Sequence, residues 1–278
     1  MKYRSIFTVW DGLENSRSTF QTALQLARVN DAHLSVLCIG YEMIQPAFGY
    51  VDVSSTMVNE NYADARNQVE ELKREVTSIL EVEDVKWGVE TIISQTPGLS
   101  HAVGDAARFS DLVVLPKPYE KDGNEKAANI VEAALFGGNV PVLVHPSNSV
   151  KNFGKRVLIA WNESNEALTA IRAALPFISA AEAVEIVIID PARHDTDRSD
   201  PGSAISTMLA RHGVSVEVSI LPRTVSRISD ILNQHITETG ADFLVMGAYG
   251  HSRFRERILG GATRNTLESV LVPVLMAH

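Results

Sequence analysis

Short apolar segments alternate along the chain with longer segments of helical period. Residues 156–161 and 242–247 are nearly continuous apolar runs, whereas Ile228, Ile231 and Leu232 recur at the spacing of one helix face. Continuous apolar runs are typical of strands covered by helices on both sides, so the alternation predicts repeated βαβ units around a parallel sheet. We therefore predict an α/β fold with five strands in each half of the chain.

The second half shows this alternation more clearly than the first. Its predicted strands cover residues 156–161, 183–189, 214–221, 242–247 and 271–276, and its predicted helices cover 164–179, 203–212, 225–239 and 261–269. The strand 214–221 alternates strictly between apolar and polar residues, which indicates a partly solvated strand at the sheet edge. In the first half, the weakly patterned stretch 41–61 is predicted to form a surface loop rather than a lid.

The two halves repeat the same landmarks in the same order. IFTVWDGLENS, which starts at Ile6, is echoed by LIAWNESNEA, which starts at Leu158, so that Trp10 corresponds to Trp161. SDLVVLP is echoed by ADFLVMG, and VPVLVHP by VPVLMAH, in each case with the same order along the chain. An internal repeat of this length predicts two copies of one domain. Both tryptophans are predicted to pack in the core rather than stack on a ligand.

A polar stretch separates the two copies. Residues 146–155 are rich in Pro, Ser, Asn and Gly, which is the composition of a linker. We therefore predict domains over residues 1–148 and 153–278. We also predict that the fifth strands of the two copies pair with each other, because joining two apolar sheet edges hides both of them. That pairing would make the chain an internal pseudo-dimer.

Composition and charge exclude several classes of protein. Hydrophobic residues make up 45% of the chain and charged residues 21%, which is typical of a folded globular protein. The net charge is −9 and no dense Lys/Arg run occurs, so we expect no binding to nucleic acid or to an anionic membrane surface. Cys38, the only cysteine, lies in an apolar run and is predicted to be buried. No signal-like segment or apolar run of about 18 residues is present, so we expect a soluble cytoplasmic protein.

Three glycines follow the fourth predicted strand of the second half. Gly247 and Gly250 are separated by two residues, and nine more separate Gly250 from Gly260. Glycine permits positive φ and close approach of the backbone to a ligand, while the start of the next helix offers unpaired N–H groups. The spacing therefore predicts a phosphate cradle, with the Thr263 hydroxyl as a further donor. His251 and Arg253 add positive charge nearby, although an exposed loop would carry such residues too.

This loop resembles the ATP-binding motif of universal stress proteins, which is Gly, two residues, Gly, nine residues, Gly, then Ser or Thr. The resemblance implies two tandem doubly wound five-stranded parallel-sheet domains of the adenine nucleotide alpha hydrolase-like kind, with ATP or a related adenine nucleotide in the second. It also implies that Asn162 occupies the position of an Asp at the end of the first strand. The nucleotide-binding residues would then be Asn162, Gly247, Gly250, His251, Arg253, Gly260, Gly261 and Thr263.

The sequence departs from that motif at two positions. Gly261 stands where the family has Ser or Thr, which removes one hydroxyl donor to the phosphates. Asn162 stands where the family has Asp, and a neutral amide supports Mg²⁺ less well than a carboxylate does. The affinity is therefore expected to be modest, and dependence on Mg²⁺ is left open.

The first half keeps the strand-one aspartate but not the glycine loop. Asp11 and Gly12 follow the first strand, yet Pro116 and Pro118 stand where the loop glycines would be. Proline fixes φ and lacks an amide donor, so we predict one nucleotide per chain, bound by the second half. The pair Gly137–Gly138 is predicted to end a helix.

The sequence thus favours a stress-response protein that binds an adenine nucleotide and acts in a regulatory or protective role. No residue is placed by a motif as a general base, and the histidines show no metal-ligand spacing, so no catalytic residue and no metal site are predicted. Two alternatives stay open: an interaction scaffold that binds no nucleotide, and a slow ATPase. A homodimer and an unidentified protein partner are compatible with all three.

Overall fold

The computed structural model describes residues 2–41, 55–94, 96–119, 125–147, 152–191, 201–248 and 261–278. The chain divides into two compact units. The first unit contains Tyr3–Pro116 and Lys126–Gly138, and the second contains Met1–Lys2, Lys117–Glu125 and Asn139–His278. Each unit is an α/β structure built on strands that are mostly parallel, which confirms the predicted fold class.

The first unit has four parallel strands in the order β3-β2-β1-β4. The strands are β1 (Ser5–Trp10), β2 (His33–Tyr41), β3 (Lys86–Ser94) and β4 (Leu112–Pro116). The helices are α1 (Glu14–Asn30), α2 (Ser55–Leu80), α3 (Thr96–Ala107) and α4 (Glu125–Glu132), and α4 continues into a π-helical turn, Ala133–Gly137. This turn is followed by Gly138, in agreement with the predicted helix end.

The second unit has the strand order β5-β10-β9-β6-β7-β8. Its strands are β5 (Val142–His145), β6 (Arg156–Ala160), β7 (Ala183–Ile189), β8 (Glu217–Leu221), β9 (Phe243–Gly247) and β10 (Val274–Ala277). Its helices are α5 (Asn165–Ala173), α6 (Leu175–Ile178), α7 (Ser203–Arg211), α8 (Ile228–Thr239) and α9 (Gly261–Ser269). The five strands predicted for the second half are therefore all present.

The predicted pairing of the two fifth strands is confirmed. β5 and β10 pair antiparallel, with Leu143 opposite Leu275 and Val144 opposite Val274. These side chains are fully buried. The fifth strand of the first repeat therefore groups with the second unit, because its backbone pairs with β10.

Equivalent aspartates hold the start of the first strand in each repeat. Asp111 accepts hydrogen bonds from the backbone N–H groups of Arg4 at 2.6 Å and Ser5 at 3.0 Å. Asp242 accepts from those of Gly154 at 3.0 Å and Arg156 at 2.9 Å. Asp111 in SDLVVLP and Asp242 in ADFLVMG occupy the same position of the repeat, so the same sequence feature produces the same local structure.

Two predicted elements differ from the structure. Residues 55–61 belong to α2 rather than to a loop, while residues 42–54 lie outside the described part of the chain. α2 extends this far because Ala65, Val69 and Val76 bury one face of it, and lengthening a formed helix is easier than starting one. The single helix predicted over 164–179 is two helices, because Pro176 cannot donate the backbone hydrogen bond that would join them.

β8 lies at the sheet edge as predicted, but its polar face is the inner one. Val218 and Ile220 are 40% and 57% exposed, whereas Ser219 is half-buried. Ser219 donates a 2.5 Å hydrogen bond to Oε1 of Glu185 on β7, and Nε2 of His235 on α8 lies 2.8 Å from the same oxygen. This polar contact under α8 reverses the usual orientation of an edge strand.

Within the described residues, no helix has both the length and the apolar character that crossing a bilayer requires. Cys38 is buried on β2, as its apolar setting predicts. Burial raises the pKa of its thiol to about 12, so the thiolate needed for nucleophilic chemistry is not formed near neutral pH.

Candidate functional site

The strand order of the second unit reverses beside β6. From β6 the chain moves to β7 and β8 on one side, and then crosses to β9 and β10 on the other. In open parallel sheets, ligands bind beyond the carboxyl ends of the strands at such a reversal. Ala160 on β6 pairs with Met246 on β9, so Asn162 and Gly247 follow neighbouring strand ends at this point.

Asn162 forms a tight turn that leads from β6 into α5. Its Oδ1 accepts a 3.3 Å hydrogen bond from the backbone N–H of Ser164, and Glu163 between them has φ of 61°. Ser164 then caps α5 by accepting from the N–H of Ala167 at 3.1 Å. The side-chain nitrogen of Asn162 has no partner among the described residues, and the residue is exposed. It is therefore placed to donate a hydrogen bond to a ligand.

The first unit has the same turn with an aspartate. Oδ1 of Asp11 accepts from the backbone N–H of Leu13 at 3.1 Å and from the hydroxyl of Ser16, and Gly12 has φ of 79°. An Asn and an Asp both supply the acceptor oxygen that this turn needs. Asn162 therefore forms the same turn as Asp11 but carries no charge. The motif alone did not predict this structural role.

Gly247 is a glycine for a different reason from the one expected. Its φ is not positive, and a β-carbon at this position would lie 2.5 Å from the backbone nitrogen of Ala167 and 2.8 Å from the carbonyl carbon of Glu166. No side chain fits there, because real β-carbons essentially never come closer than 3.0 Å to such atoms. Gly247 thus lets the first turn of α5 pack directly on the end of β9.

α9 begins at Gly261, in agreement with the predicted helix. Since β9 and β10 are parallel, the connection through α9 runs back along the sheet, and α9 starts at the same edge as Asn162. Gly261 is exposed, and a β-carbon on it would meet no atom within 4 Å. Thr263 is only 3% exposed, so its side chain lies in the interior of the unit.

Both ends of α9 are held by residues that sequence reasoning did not select. The ammonium of Lys117 donates a 2.9 Å hydrogen bond to the carbonyl of Val270, just past the end of α9, where a cation is favoured by the helix dipole. Arg264 donates to Glu268 at 2.8 Å and lies over the ring of Tyr119. The bond to Glu268 raises the pKa of Arg264. Of these contacts, only the pair of Arg264 and Glu268 could be predicted from the sequence, because residues four apart are neighbours on a helix.

The middle of the predicted cradle lies outside the described residues. Gly250, His251, Arg253 and Gly260 all fall between residues 249 and 260. Among the residues that are described, no group of three or more His, Cys, Asp or Glu side chains is arranged to hold a metal ion. The structure thus brings Asn162 and Gly247 together and places the start of α9 at the same edge.

The corresponding edge of the first unit is occupied by its own side chains. The ammonium of Lys126, at the start of α4, lies 3.7 Å from the centre of the Tyr41 ring at the end of β2. Burial, together with the nearby charge of Asp11, raises the pKa of the Tyr41 hydroxyl well above its usual value. α4 corresponds to α9 in the repeat. The cation–π contact between Lys126 and Tyr41 lies at the start of α4, whereas α9 starts with Gly261.

The two repeat-related tryptophans pack into the protein. Trp10 is 1% exposed and contacts Phe20 edge-to-face, with ring centres 5.3 Å apart. Trp161 is half-buried, and its indole N–H donates to the carbonyl of Pro201 at 3.3 Å. The packing role predicted for Trp10 is confirmed.

The comparisons with known proteins agree with this architecture. Residues 154–278 match the model of the Universal stress protein family. The universal stress protein Slr1230 of Synechocystis sp. is 32% identical over 68 residues, which cover 24% of this chain and only 23% of that protein.

Solved structures resemble the chain over nearly its whole length. A universal stress protein from Archaeoglobus fulgidus DSM 4304 has a TM-score of 0.72 at 17% identity, covering 98% of this chain and 97% of that chain. The protein PA1789 of Pseudomonas aeruginosa PAO1, whose function is unknown, has a TM-score of 0.58 at 14% identity, covering 99% and 92%. At these identities the likeness concerns the fold.

Proposed function

Because residues 154–278 belong to the universal stress protein family, we propose that this part of the chain binds an adenine nucleotide, ATP or a relative of it. The observation that carries the proposal is the adjacency of Asn162 and Gly247 at the strand-order reversal, with α9 starting at the same edge. The nucleotide acts as a regulatory or protective ligand, and its binding rather than its turnover is the function.

The chemistry of this edge suits an anion. The first N–H groups of α9 have no partners within the helix, and the dipole of the helix favours negative charge at this end. Asn162 adds a neutral donor for a phosphate or ribose oxygen, since its Oδ1 is already used in the turn. Without a carboxylate at position 162, Mg²⁺ gains little support from this residue.

The first unit supports one site per chain rather than two. Lys126 and Tyr41 occupy its equivalent edge, and Pro116 and Pro118 replace the loop glycines. A nucleotide there would have to displace a cation–π contact and would find fewer backbone donors. The proposed site is therefore confined to the second half of the sequence.

Calorimetric titration of the full chain with ATP, ADP and AMP tests this function. We expect saturable binding with a stoichiometry of one. Mass spectrometry of small molecules released from the denatured protein gives an independent measure of any nucleotide that copurifies. If neither method finds an adenine nucleotide, the proposal fails and the interaction scaffold becomes the better interpretation.

A further inference from the structure

A cleft opens on the first unit where α3 passes the π-helical turn that follows α4. Its volume is about 350 Å³, at the small end of the range for ligand pockets. The side chains that line it include His101, Asp105, Arg108, Glu132 and Phe136. Helices in this fold start at the carboxyl edge of the sheet and run back from it, so the late residues of α3 and α4 place the cleft away from that edge.

The cleft owes its shape to a close contact between two glycines. A β-carbon on Gly104 would lie 3.1 Å from Cα of Gly137, so α3 and the π-helical turn meet through their backbones. The turn is closed by the N–H of Gly138, which donates to the carbonyl of Ala133 at 2.9 Å. The extra residue of the turn leaves Phe136 44% exposed beside the cleft. Part of this aromatic side chain therefore lines the cleft.

Glu132 is the unbalanced charge in this cleft. The guanidinium of Arg108 lies 3.4 Å from the carboxylate of Asp105, so these two opposite charges offset each other. Arg108 also donates a 3.5 Å hydrogen bond to the carbonyl of Gly137. Glu132 is half-buried and has no hydrogen-bond or ion-pair partner among the described residues. Burial raises the pKa of its carboxyl group, because desolvation disfavours the charged form. His101 on α3 is exposed and does not remove this effect.

We propose that this cleft binds a small organic cation, a primary amine with a hydrophobic group. The ammonium pairs with Glu132, and the hydrophobic group packs against the ring of Phe136. A bound cation would relieve the desolvation of the carboxylate, which gives the ligand an advantage over a neutral molecule of the same shape. The site is independent of the proposed nucleotide site and does not rely on it.

Benzylamine is a suitable probe, and benzyl alcohol is its neutral counterpart. Titrated into the full chain at neutral pH and followed by NMR shifts, benzylamine should bind with a dissociation constant of about 1 mM. Benzyl alcohol should bind at least roughly tenfold more weakly, the difference expected for one charge-assisted contact. Absence of benzylamine binding at about 20 mM, or equal binding of the two probes, would overturn the proposal.

Two variants locate the interaction. Glu132→Gln keeps the shape of the side chain and removes its charge, so benzylamine affinity should fall roughly tenfold. Glu71→Gln removes the same charge from an exposed position on α2 and should leave the affinity unchanged. Equal affinity of the Glu132→Gln variant and the unaltered protein would contradict the site, and the comparison of the two probes on the unaltered chain needs no variant at all.

Discussion

A β-carbon on Gly247 would lie 2.5 Å from the backbone nitrogen of Ala167. The end of β9 and the first turn of α5 are therefore in backbone contact. This contact sets the position of the turn formed by Asn162, because Ser164 both accepts from Ala167 and donates to Asn162. Gly247, which the glycine motif selected for a ligand, thus also fixes the position of Asn162.

Gly247→Ala should destabilise the protein by about 1–3 kcal/mol, because the added methyl group overpacks a backbone contact. Denaturation in urea measures the change in the free energy of unfolding. Gly261→Ala is the matched control, since a methyl group there meets no atom within 4 Å and alanine favours a helix. Equal losses in the two variants would show that the contact with Ala167 is not the cause.

Gly261→Ser should tighten ATP binding about tenfold, because it places a hydroxyl donor at the start of α9 without a steric obstacle. Calorimetric titration measures the affinity. Gly261→Ala adds the β-carbon without the hydroxyl and should leave the affinity close to that of the unaltered protein. A gain of the same size in both variants would assign the effect to helix stability instead.

Asn162→Asp should keep the turn, as Asp11 does in the first unit, and should make ATP binding depend more strongly on Mg²⁺. Asn162→Ala should lose the turn, weaken ATP binding and cost about 1 kcal/mol of stability. Titrations with and without Mg²⁺, together with thermal unfolding, separate these effects. ATP binding that is unchanged in both variants would remove Asn162 from the site.

Gly250→Val should abolish most nucleotide binding, whereas Asp11→Ala should leave it intact. The first change puts a β-branched side chain into the loop motif, and the second alters a turn in the unit where Lys126 covers Tyr41. Titration yields both affinity and stoichiometry. Two nucleotides per chain, or binding lost only in Asp11→Ala, would place the site in the first half.

Cleavage of the chain near Asn148 should leave the two fragments associated, because β5 stays paired with β10 through fully buried side chains. Size-exclusion chromatography at micromolar concentration measures this association. Leu143→Asp puts a charge into the paired strand and should release the fragments after cleavage. Fragments that separate without that substitution would show that the pairing is weak.

The secondary structure of the second half could be predicted because its local signals agree. Continuous apolar runs identified β6 and β9, and glycine marked the start of α9. The division of the helix at Pro176 was also encoded locally, although the periodicity of its apolar residues concealed it.

Contacts between distant residues could not be predicted in the same way. The reason for Gly247 lies in Ala167, eighty residues earlier. The inward polar face of β8 depends on Glu185 and His235, and the occupied edge of the first unit depends on Lys126 meeting Tyr41. Each of these relationships joins elements that are far apart in sequence, so periodicity and motif spacing contain no signal for them.

The antiparallel pairing of β5 with β10 also bears on how far the two halves of the sequence can differ. β5 comes from the first half of the sequence and pairs with β10 from the second, so this contact is intramolecular and forms at a high effective concentration. Every chain therefore carries one copy of each half of the sequence. A substitution elsewhere in the first half of the sequence can therefore leave the pairing intact, provided that Val142–His145 still supplies the strand that pairs with β10.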